Sequence, residues 1–447
     1  MINHRLIILF FTLSISSCAT TNPAEYIAGI FDSNSSEVNN DINKKEEKEK
    51  EEKIKINSKK DSIFSKLIFW DTQPAKDTIT SSLNMNLLWS VDIGEGRDAL
   101  SGVLQPAFDL DETIYTIDTD GLISSVNIIS GDINWKLNVD LDVTSGLLYY
   151  NEILYFGTSD GYLYGFSVDE LSNNQNLISR FDFTGMLPDS ELNPELKVAL
   201  KSEITSPAIG LDNLIFFKLA DGDTVAINIL TSEIQWIHDG KNIALSMKGS
   251  AAISSDAINL YVARDDGNFI SLSNDTGKLN WLAGISPRSG RNELESLRDI
   301  EMTPIVQDGL VYVGSYQGSI ISVDTLSGDI VWRKPISVHS NLEIDDDKIY
   351  IPVLDGHIHA LDRFSGEKIW STLIDNKSVF TKPTIIDNFL VGFNTDGYIG
   401  VLDASDGKKV HFNKIIDEVD MQSDILLMDK VLYIVTRNGR LNAVKFN

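Results

Sequence analysis

Two short patterns in this chain contain residue types that could carry out chemistry. Gly157-Thr158-Ser159-Asp160-Gly161 matches G-x-S-x-G, the spacing that exposes a nucleophilic serine on a sharp strand-to-helix turn. Residues 162–168 alternate in the manner of a second strand, which argues against a hydrolase. His357 and His359 lie two apart on a predicted strand, so they share a face and could bind a metal ion. No third ligand is evident nearby, and we interpret them as an ordinary pair of strand residues.

A third pattern, Gly94-x-Gly96-x-x-Ala99, has glycine spacing similar to that of a dinucleotide-binding turn. Such a turn must open a helix. Gly102 and Pro106 follow where that helix would run, so the sequence argues against a bound dinucleotide.

The composition excludes several classes of function. Of 447 residues, 65 are Asp or Glu and 38 are Lys or Arg, which gives a formal net charge of −27. Proteins that bind nucleic acid neutralise phosphates with clustered Lys and Arg, so no nucleic-acid partner is expected. Cys18 is the one cysteine, which excludes an intramolecular disulfide and a cysteine-rich zinc site.

Residues 1–17 are typical of a secretory signal peptide. The apolar run at residues 6–15 is too short to span a bilayer core of about 30 Å. Ile15-Ser16-Ser17-Cys18 resembles a bacterial lipobox, which implies that Cys18 is lipidated and becomes the new N-terminus. Ala19, rather than Asp, then implies a lipid anchor in the outer membrane, on its periplasmic face. The alternative is an ordinary cleaved signal with an incidental cysteine.

Residues 18–84 are predicted to be the lipidated N-terminus and a disordered, charged tether. Residues 41–61 mix Lys with Glu and Asp and contain almost no apolar side chains, a composition typical of disorder. Residues 63–70 (IFSKLIFW) form an apolar patch inside the tether, which we interpret as a short docking segment.

The remaining residues, 85–447, repeat one unit. Each unit contains a β-rich run, a tight turn with glycine, a second alternating strand, another glycine turn and an aromatic residue. Clear copies are Asp120-Gly121…Ser130-Gly131…Trp135 and Asp266-Gly267…Thr276-Gly277…Trp281. Eight units are recognised from the first glycine of each, at positions Gly121, Gly161, Gly222, Gly267, Gly318, Gly356, Gly397 and Gly439.

The repeat spacing of about 40–50 residues is typical of four-stranded propeller blades. The Asp-Gly and Asn-Gly pairs predict type I′ hairpins, in which both central residues have positive φ. Two units depart from the pattern: one has Glu233 where the second glycine is expected, and another ends in Phe412 instead of Trp. We interpret the repeated tryptophans as packing wedges between neighbouring sheets.

The two ends of the repeat region complement each other. The last unit ends after its third strand, whereas residues 87–91 (LLWSV) provide the tryptophan-bearing fourth strand of a unit that has no other strands. The sequence therefore predicts an all-β, eight-bladed β-propeller of four-stranded antiparallel blades, its ring closed by an N-terminal strand that completes the C-terminal blade. A linear solenoid is the alternative.

The repeat is similar to that of pyrroloquinoline-quinone (PQQ) dehydrogenases and of BamB-like lipoproteins of the outer-membrane β-barrel assembly (BAM) machinery. Residues 244–251 (ALSMKGSA) and 291–306 (RNELESLRDIEMTPIV) resemble two BamB segments that bind the POTRA domains of BamA. The resemblance implies that Leu245, Met247 and Lys248 form the apolar and basic part of the contact. It gives Asp299 and Glu301 the acidic part.

This resemblance implies a non-enzymatic scaffold with no cofactor and no metal. It implies binding to BamA and other subunits of the BAM complex, and it suggests binding to unfolded outer-membrane proteins. The alternatives are a PQQ-dependent periplasmic dehydrogenase and a ligand-binding or carbohydrate-binding propeller. The dehydrogenases carry a vicinal disulfide over the cofactor, which a chain with Cys18 alone cannot form.

Overall fold

A computed structural model describes most of the repeat region: residues 83, 85–95, 105–109, 112–178, 192–240, 251–285, 302–316, 318–420 and 423–447. These residues form 32 strands and one helix. The strands make eight separate four-stranded antiparallel sheets, and the fold is an eight-bladed β-propeller, as the repeats predict. The predicted signal peptide and tether lie outside the described residues.

The first strand along the chain, β1 (Met85–Asp92), belongs to the last blade, and blades 1 to 4 follow it in order. From the innermost to the outermost strand, they consist of β2 (Ala107–Phe108), β3 (Thr113–Ile117), β4 (Leu122–Asn127) and β5 (Ile133–Asn138); β6 (Leu148–Tyr150), β7 (Ile153–Gly157), β8 (Tyr162–Ser167) and β9 (Leu196–Ala199); β10 (Ile209–Leu211), β11 (Leu214–Lys218), β12 (Thr224–Asn228) and β13 (Glu233–His238); and β14 (Ser254–Ser255), β15 (Asn259–Ala263), β16 (Asn268–Ser273) and β17 (Leu279–Gly284).

Blades 5 to 8 repeat the arrangement. They consist of β18 (Ile305–Gln307), β19 (Leu310–Gly314), β20 (Ile320–Asp324) and β21 (Ile330–Lys334); β22 (Glu343–Ile344), β23 (Lys348–Pro352), β24 (His357–Asp362) and β25 (Lys368–Leu373); β26 (Thr384–Ile386), β27 (Phe389–Phe393), β28 (Tyr398–Asp403) and β29 (Lys409–Lys414); and β30 (Leu426–Met428), β31 (Val431–Val435) and β32 (Arg440–Phe446), followed by β1.

Blade 8 closes the ring with strands from both ends of the repeat region. β1 pairs antiparallel with β32, from Met85 opposite Phe446 to Asp92 opposite Arg440. The Arg440 guanidinium donates to Ser90 Oγ at 2.9 Å and to the Ser90 carbonyl at 3.1 Å. The predicted closure is confirmed. This pairing joins residues more than 300 positions apart and leaves no blade with three strands.

The second and third strands of each blade are buried along almost their whole length. In β7 and β8, for example, all but the first residue of one and the two end residues of the other are buried. Such strands pack against the neighbouring blade on both faces, so they read as continuous apolar runs rather than as an alternation.

The turns between second and third strands differ from the predicted type I′ hairpins. Only their glycines have positive φ, as at Gly121 (84°) and Gly356 (83°), whereas Asp120 and Asp355 do not. The Gly121 N–H donates to the Asp118 carbonyl at 3.2 Å, which describes a type I turn closed by a left-handed glycine. The prediction of positive φ at both positions was wrong. Three residues, not two, separate the paired strands.

The tryptophan of an outermost strand packs on the glycine turn between the third and fourth strands of the next blade. A methyl group added to that glycine would lie 2.5–2.8 Å from the indole, in the pairs Trp89–Gly131, Trp236–Gly277, Trp281–Gly328, Trp332–Gly366 and Trp370–Gly407. The indole N–H also donates to a carbonyl of the same turn, as from Trp281 to Thr325 at 2.9 Å. The tryptophans therefore link successive blades, as predicted.

Blade 3 shows why one unit can lack its second glycine. The residue at that position is Ser232, not Glu233 as the sequence suggested, and it has the same left-handed conformation (φ 55°). The preceding outermost strand, β9, has the sequence LKVA and contains no tryptophan. With no indole over the turn, a side chain fits at Ser232.

Two other blades depart from the tryptophan pattern. Phe412 pairs with Gly400 at the strand position that tryptophan occupies elsewhere, and its ring stacks on Tyr398 with 5.1 Å between centroids. In blade 2, helix α1 (Val168–Ile178) begins where the third-to-fourth turn stands in the other blades, and its Leu171 is buried in the same apolar cluster as Trp135.

Candidate partner-binding site

Because the strands of a blade alternate in direction, their connections fall on two faces of the propeller. The turns between second and third strands share one face with the links that run from each blade to the next, and we call it the linker face. Backbone bonds join these elements: Ile285 N donates to Gly267 O at 3.0 Å, and Ile374 N to Gly356 O at 3.0 Å.

The five predicted partner-binding residues lie in two links of the linker face. Leu245, Met247 and Lys248 belong to the link between β13 and β14, and Asp299 and Glu301 to the link between β17 and β18. All five lie outside the described residues, as does the predicted lipidation site, so their roles stay predictions. The structure does describe where each link leaves one blade and enters the next.

The two links enter adjacent blades, 4 and 5, side by side. The Ala252 N–H donates to Thr303 Oγ1 at 3.3 Å, and the Ser254 hydroxyl donates to the Pro304 carbonyl. The structure therefore brings together the downstream ends of the two segments that the family resemblance pairs in one contact.

Met302 fixes the end of the second link. Its side chain is buried, and its sulfur accepts a hydrogen bond from Gly314 N at 3.0 Å. The next residue, Thr303, donates its N–H to Asn341 Oδ1 at 2.7 Å, which ties the same link to blade 6. The base of the candidate site is thus held by the propeller on both sides.

Equivalent residues surround the channel at this end. Each lies two positions before the innermost strand of its blade: Gln105, Gly146, Pro207, Ala252, Thr303, Asn341, Lys382 and Asp424. Five of these eight residues are polar, although they share no residue type. Sequence reasoning missed them for that reason, and only their constant offset from the innermost strands could have identified them.

The polar members of this set hydrogen bond across the channel. Asp424 accepts from Gln105 Nε2 at 3.0 Å and from Asn341 Nδ2 at 3.0 Å, so one carboxylate joins blades 8, 1 and 6. Burial raises the pKa of the Asp424 carboxyl, and nearby Lys382 partly offsets this effect. Lys382 Nζ lies 3.6 Å from the carboxylate of Glu343, whose pKa burial also raises.

A cavity of about 620 Å³ lies between the innermost strands of blades 3, 4 and 5. Its walls are mixed: Ile209, Leu211 and Ile253 are apolar, whereas Ser255 and Asp256 are polar. The Asp256 carboxylate is already occupied, because it accepts the Tyr261 hydroxyl at 2.6 Å.

The two histidines do lie together on β24, with 6.1 Å between ring centroids. His357 Nδ1 is 3.0 Å from Asp355, and His359 Nδ1 is 2.9 Å from the Ser371 hydroxyl. Burial lowers the pKa of His359 to about 4, which favours its neutral form. Among the described residues, no group of three or more His, Cys, Asp and Glu side chains is arranged to hold a metal ion.

The G-x-S-x-G pattern does not form a nucleophile elbow. Gly157 ends β7, residues 158–161 make the turn, and Tyr162 begins β8, so a strand follows where the elbow needs a helix. Thr158 Oγ1 donates to the Asp160 carboxylate at 2.5 Å within this turn. In the part of the chain that the structure describes, no helix combines the length and apolar character needed to cross a membrane.

The fold and repeat define the class of protein: an eight-bladed propeller whose blades are joined by tryptophan docking. Comparison with family models narrows this class, because residues 193–372 match the family described as "Outer membrane protein assembly factor BamB".

Curated proteins of that name are similar over most of the chain. The one from Yersinia pestis is 25% identical over 356 residues, covering 80% of this chain and 88% of that protein. The one from Escherichia coli K12 is 23% identical over 370 residues, covering 82% of this chain and 90% of that protein. These matches confirm the resemblance to BamB.

Solved structures show the same fold. The crystal structure of BamB from Moraxella catarrhalis matches with a TM-score of 0.68 at 20% identity, over 81% of this chain and all of that one. A quinohemoprotein alcohol dehydrogenase from Comamonas testosteroni matches with a TM-score of 0.60 at 11% identity, over 81% of this chain and 76% of the enzyme. The propeller alone is therefore common to a scaffold family and to an enzyme.

Proposed function

We propose that this chain is an outer-membrane protein assembly factor that acts as a non-enzymatic scaffold of the BAM complex. The observation that carries the proposal is the similarity to curated assembly factors over about nine-tenths of their length. The chain then binds BamA through its POTRA domains, associates with other BAM subunits and aids the insertion of β-barrel proteins. Unfolded outer-membrane proteins are proposed as further partners.

In this proposal the linker face of blades 4 and 5 meets BamA. Leu245 and Met247 supply apolar contact, Lys248 supplies a positive charge, and Asp299 and Glu301 supply negative ones. Support comes from the hydrogen bonds that hold the downstream ends of both links together in adjacent blades. A rigid propeller would present both segments to one partner without a large ordering cost.

We further propose that the propeller is attached to the outer membrane by a lipid on Cys18. Residues 1–17 are the signal peptide, residues 18–84 the tether and residues 85–447 the propeller. Several acyl chains, at about 0.8 kcal/mol for each buried CH₂ group, provide a stable anchor without a transmembrane helix. The propeller would then work on the periplasmic side of that membrane.

The test is a pull-down from detergent-solubilised cell envelopes with the full-length lipoprotein, followed by identification of the bound chains. We expect BamA among them. The double variant Lys248→Glu, Asp299→Lys should recover at least tenfold less BamA, because both proposed charges change sign.

A matched control is available on the opposite face. Lys430 and Asp387 form an exposed ion pair at 2.5 Å between the first hairpins of blades 8 and 7. Lys430→Glu with Asp387→Lys changes the same number of charges and should leave BamA recovery unaltered. Wild-type envelopes that yield no BamA, or dye reduction by purified protein given PQQ, calcium and an alcohol, would refute the scaffold function.

A further inference from the structure

A cluster of buried charges lies on the linker face between blades 3 and 4. Lys218, the last residue of β11, is 3% exposed, although lysine is almost never buried unless it is paired. Its Nζ lies 3.5 Å from Asp265 Oδ1, in the turn between the second and third strands of blade 4. This ion pair crosses the boundary between the two blades.

The cluster extends to both sides of this pair. On the blade 4 side, Arg264 Nη2 lies 3.6 Å from Asp266 Oδ2, and both side chains are largely buried. On the blade 3 side, Lys201 pairs with the buried carboxylate of Asp223 and lies 3.5 Å from Asp221. Three cations and four carboxylates thus share one small region.

Both candidate binding links leave the propeller from this charged cluster. Gly240, which precedes the first link, donates its N–H to Asp223 Oδ1 at 2.7 Å. Ile285, which precedes the second link, donates its N–H to the Gly267 carbonyl at 3.0 Å. Gly267 closes the turn that contains Arg264 and Asp265, since its N–H donates to the Arg264 carbonyl at 3.1 Å. The charges therefore hold the upstream anchor of each link.

Stability alone does not account for such a cluster. Removing charges from water is costly, and a buried ion pair replaced by uncharged residues of similar volume is often as stable or more stable. Ion pairs do fix geometry, because each partner must stay within a few ångströms of the other. A cluster that ties Gly240 and Ile285 to one framework fixes the distance between them.

We propose that Lys201, Lys218, Asp223, Arg264 and Asp265 are positioning residues that set where the two links leave blades 3 and 4. This inference rests on the proposed function for its consequence, which is the affinity for BamA. The cluster contacts no partner itself. It acts by holding the two anchors in the spacing that one POTRA surface can engage.

The test neutralises the pair between the blades with Lys218→Met and Asp265→Asn in the full chain. We expect a melting temperature within a few degrees of wild type, together with at least tenfold faster amide hydrogen exchange at Ile285 and Gly240. Affinity for a purified BamA POTRA fragment should fall about tenfold. Restoring the charges in exchanged positions, Lys218→Asp with Asp265→Lys, should recover part of the affinity.

A matched control lies away from the linker face. Arg363 and Asp308 form an ion pair between blades 5 and 6, with the Arg363 side chain 4% exposed. Arg363→Met with Asp308→Asn removes a pair of the same kind and should leave exchange at both anchors, and the affinity, unchanged.

The inference is overturned if neutralising Lys218 and Asp265 leaves exchange at both anchors at the wild-type rate, or if the control variant accelerates it equally. Hydrogen exchange needs no partner, so it decides the positioning role even if the wild-type protein fails to bind the POTRA fragment. That failure would refute the proposed function alone.

Discussion

Single residues explain why the repeat tolerates some departures and not others. A turn between third and fourth strands needs glycine where an indole from the preceding blade covers it, as at Gly328, where a methyl group would lie 2.6 Å from Trp281. Ser232 has the same left-handed backbone but follows a blade without tryptophan. The glycine is thus required by its neighbour as much as by its own φ.

This rule predicts opposite effects at two equivalent positions. Gly328→Ala should lower the free energy of unfolding by about 3 kcal/mol, because it adds a clash with Trp281 to a left-handed alanine. Ser232→Gly should raise that free energy by about 0.5 kcal/mol, because it relieves a strained φ. Urea denaturation measures both. Equal destabilisation by Gly328→Ala and by Ser232→Ala would show that the indole plays no part.

Burial of His339 makes stability depend on pH. The side chain is 1% exposed, and burial lowers its pKa to about 4, which nearby Asp355 only partly offsets. In the unfolded chain its pKa is near 6.5, so the neutral form favoured by folding is fully present above that pH. As pH falls from 6.5 to about 4, the unfolded state takes up a proton that the folded state does not.

We expect His339 to contribute a loss of at most about 3 kcal/mol in the free energy of unfolding over that range. His339→Leu should show a smaller loss between pH 6.5 and 4 than the wild-type protein, measured by urea denaturation at each pH. Parallel curves for the two proteins would contradict the assignment.

At the scale of strands and turns, the sequence predicted the number of blades and the closure, because glycine spacing and apolar runs recur with the period of the blade. It did not predict the local pairing. In five blades the register shifts by one residue just before the tryptophan, at Asn134, Gln235, Asn280, Val331 and Ile369. These bulged residues share no side-chain type, so no pattern could reveal them.

β1 has the same bulge at Leu88, and its Trp89 connects blade 8 to blade 1. The indole donates to Ile128 O at 3.3 Å and packs on Tyr433, with 5.8 Å between centroids. Trp89→Ala should therefore lower the free energy of unfolding by about 3 kcal/mol. It should also make the N-terminal strand the first site of cleavage in limited proteolysis.

Leu88→Ala provides the control, because Leu88 is 48% exposed and has no paired residue on β32. We expect a change below about 0.5 kcal/mol. If both variants lose the same stability, β1 is held by its backbone pairing and the indole contributes nothing particular.

At the scale of the whole molecule, the proposed anchor and the propeller are separate parts of one chain. Cys18→Ala removes the proposed lipidation site and leaves residues 85–447 untouched. We expect the variant in the soluble periplasmic fraction, with the melting temperature of the wild-type propeller. Retention of the variant in the membrane pellet after a salt wash would contradict lipid anchoring.

The binding site could be predicted from the sequence only through resemblance. Segments 244–251 and 291–306 have no repeat partner that marks them as functional, and their identity with known assembly factors is low. The structure adds what the sequence could not provide. It places their downstream ends together at Ala252 and Thr303 and shows the buried charges beneath their upstream ends. Side-chain burial at Lys218 has no counterpart in the sequence pattern.

The most direct test of the account is site-specific photo-crosslinking in living cells. A photoreactive amino acid at position 248, on the linker face, should form a covalent adduct with BamA. The same probe at position 430, on the opposite face, should not. BamA captured from position 430 and not from position 248 would contradict the assignment of the linker face as the partner-binding surface.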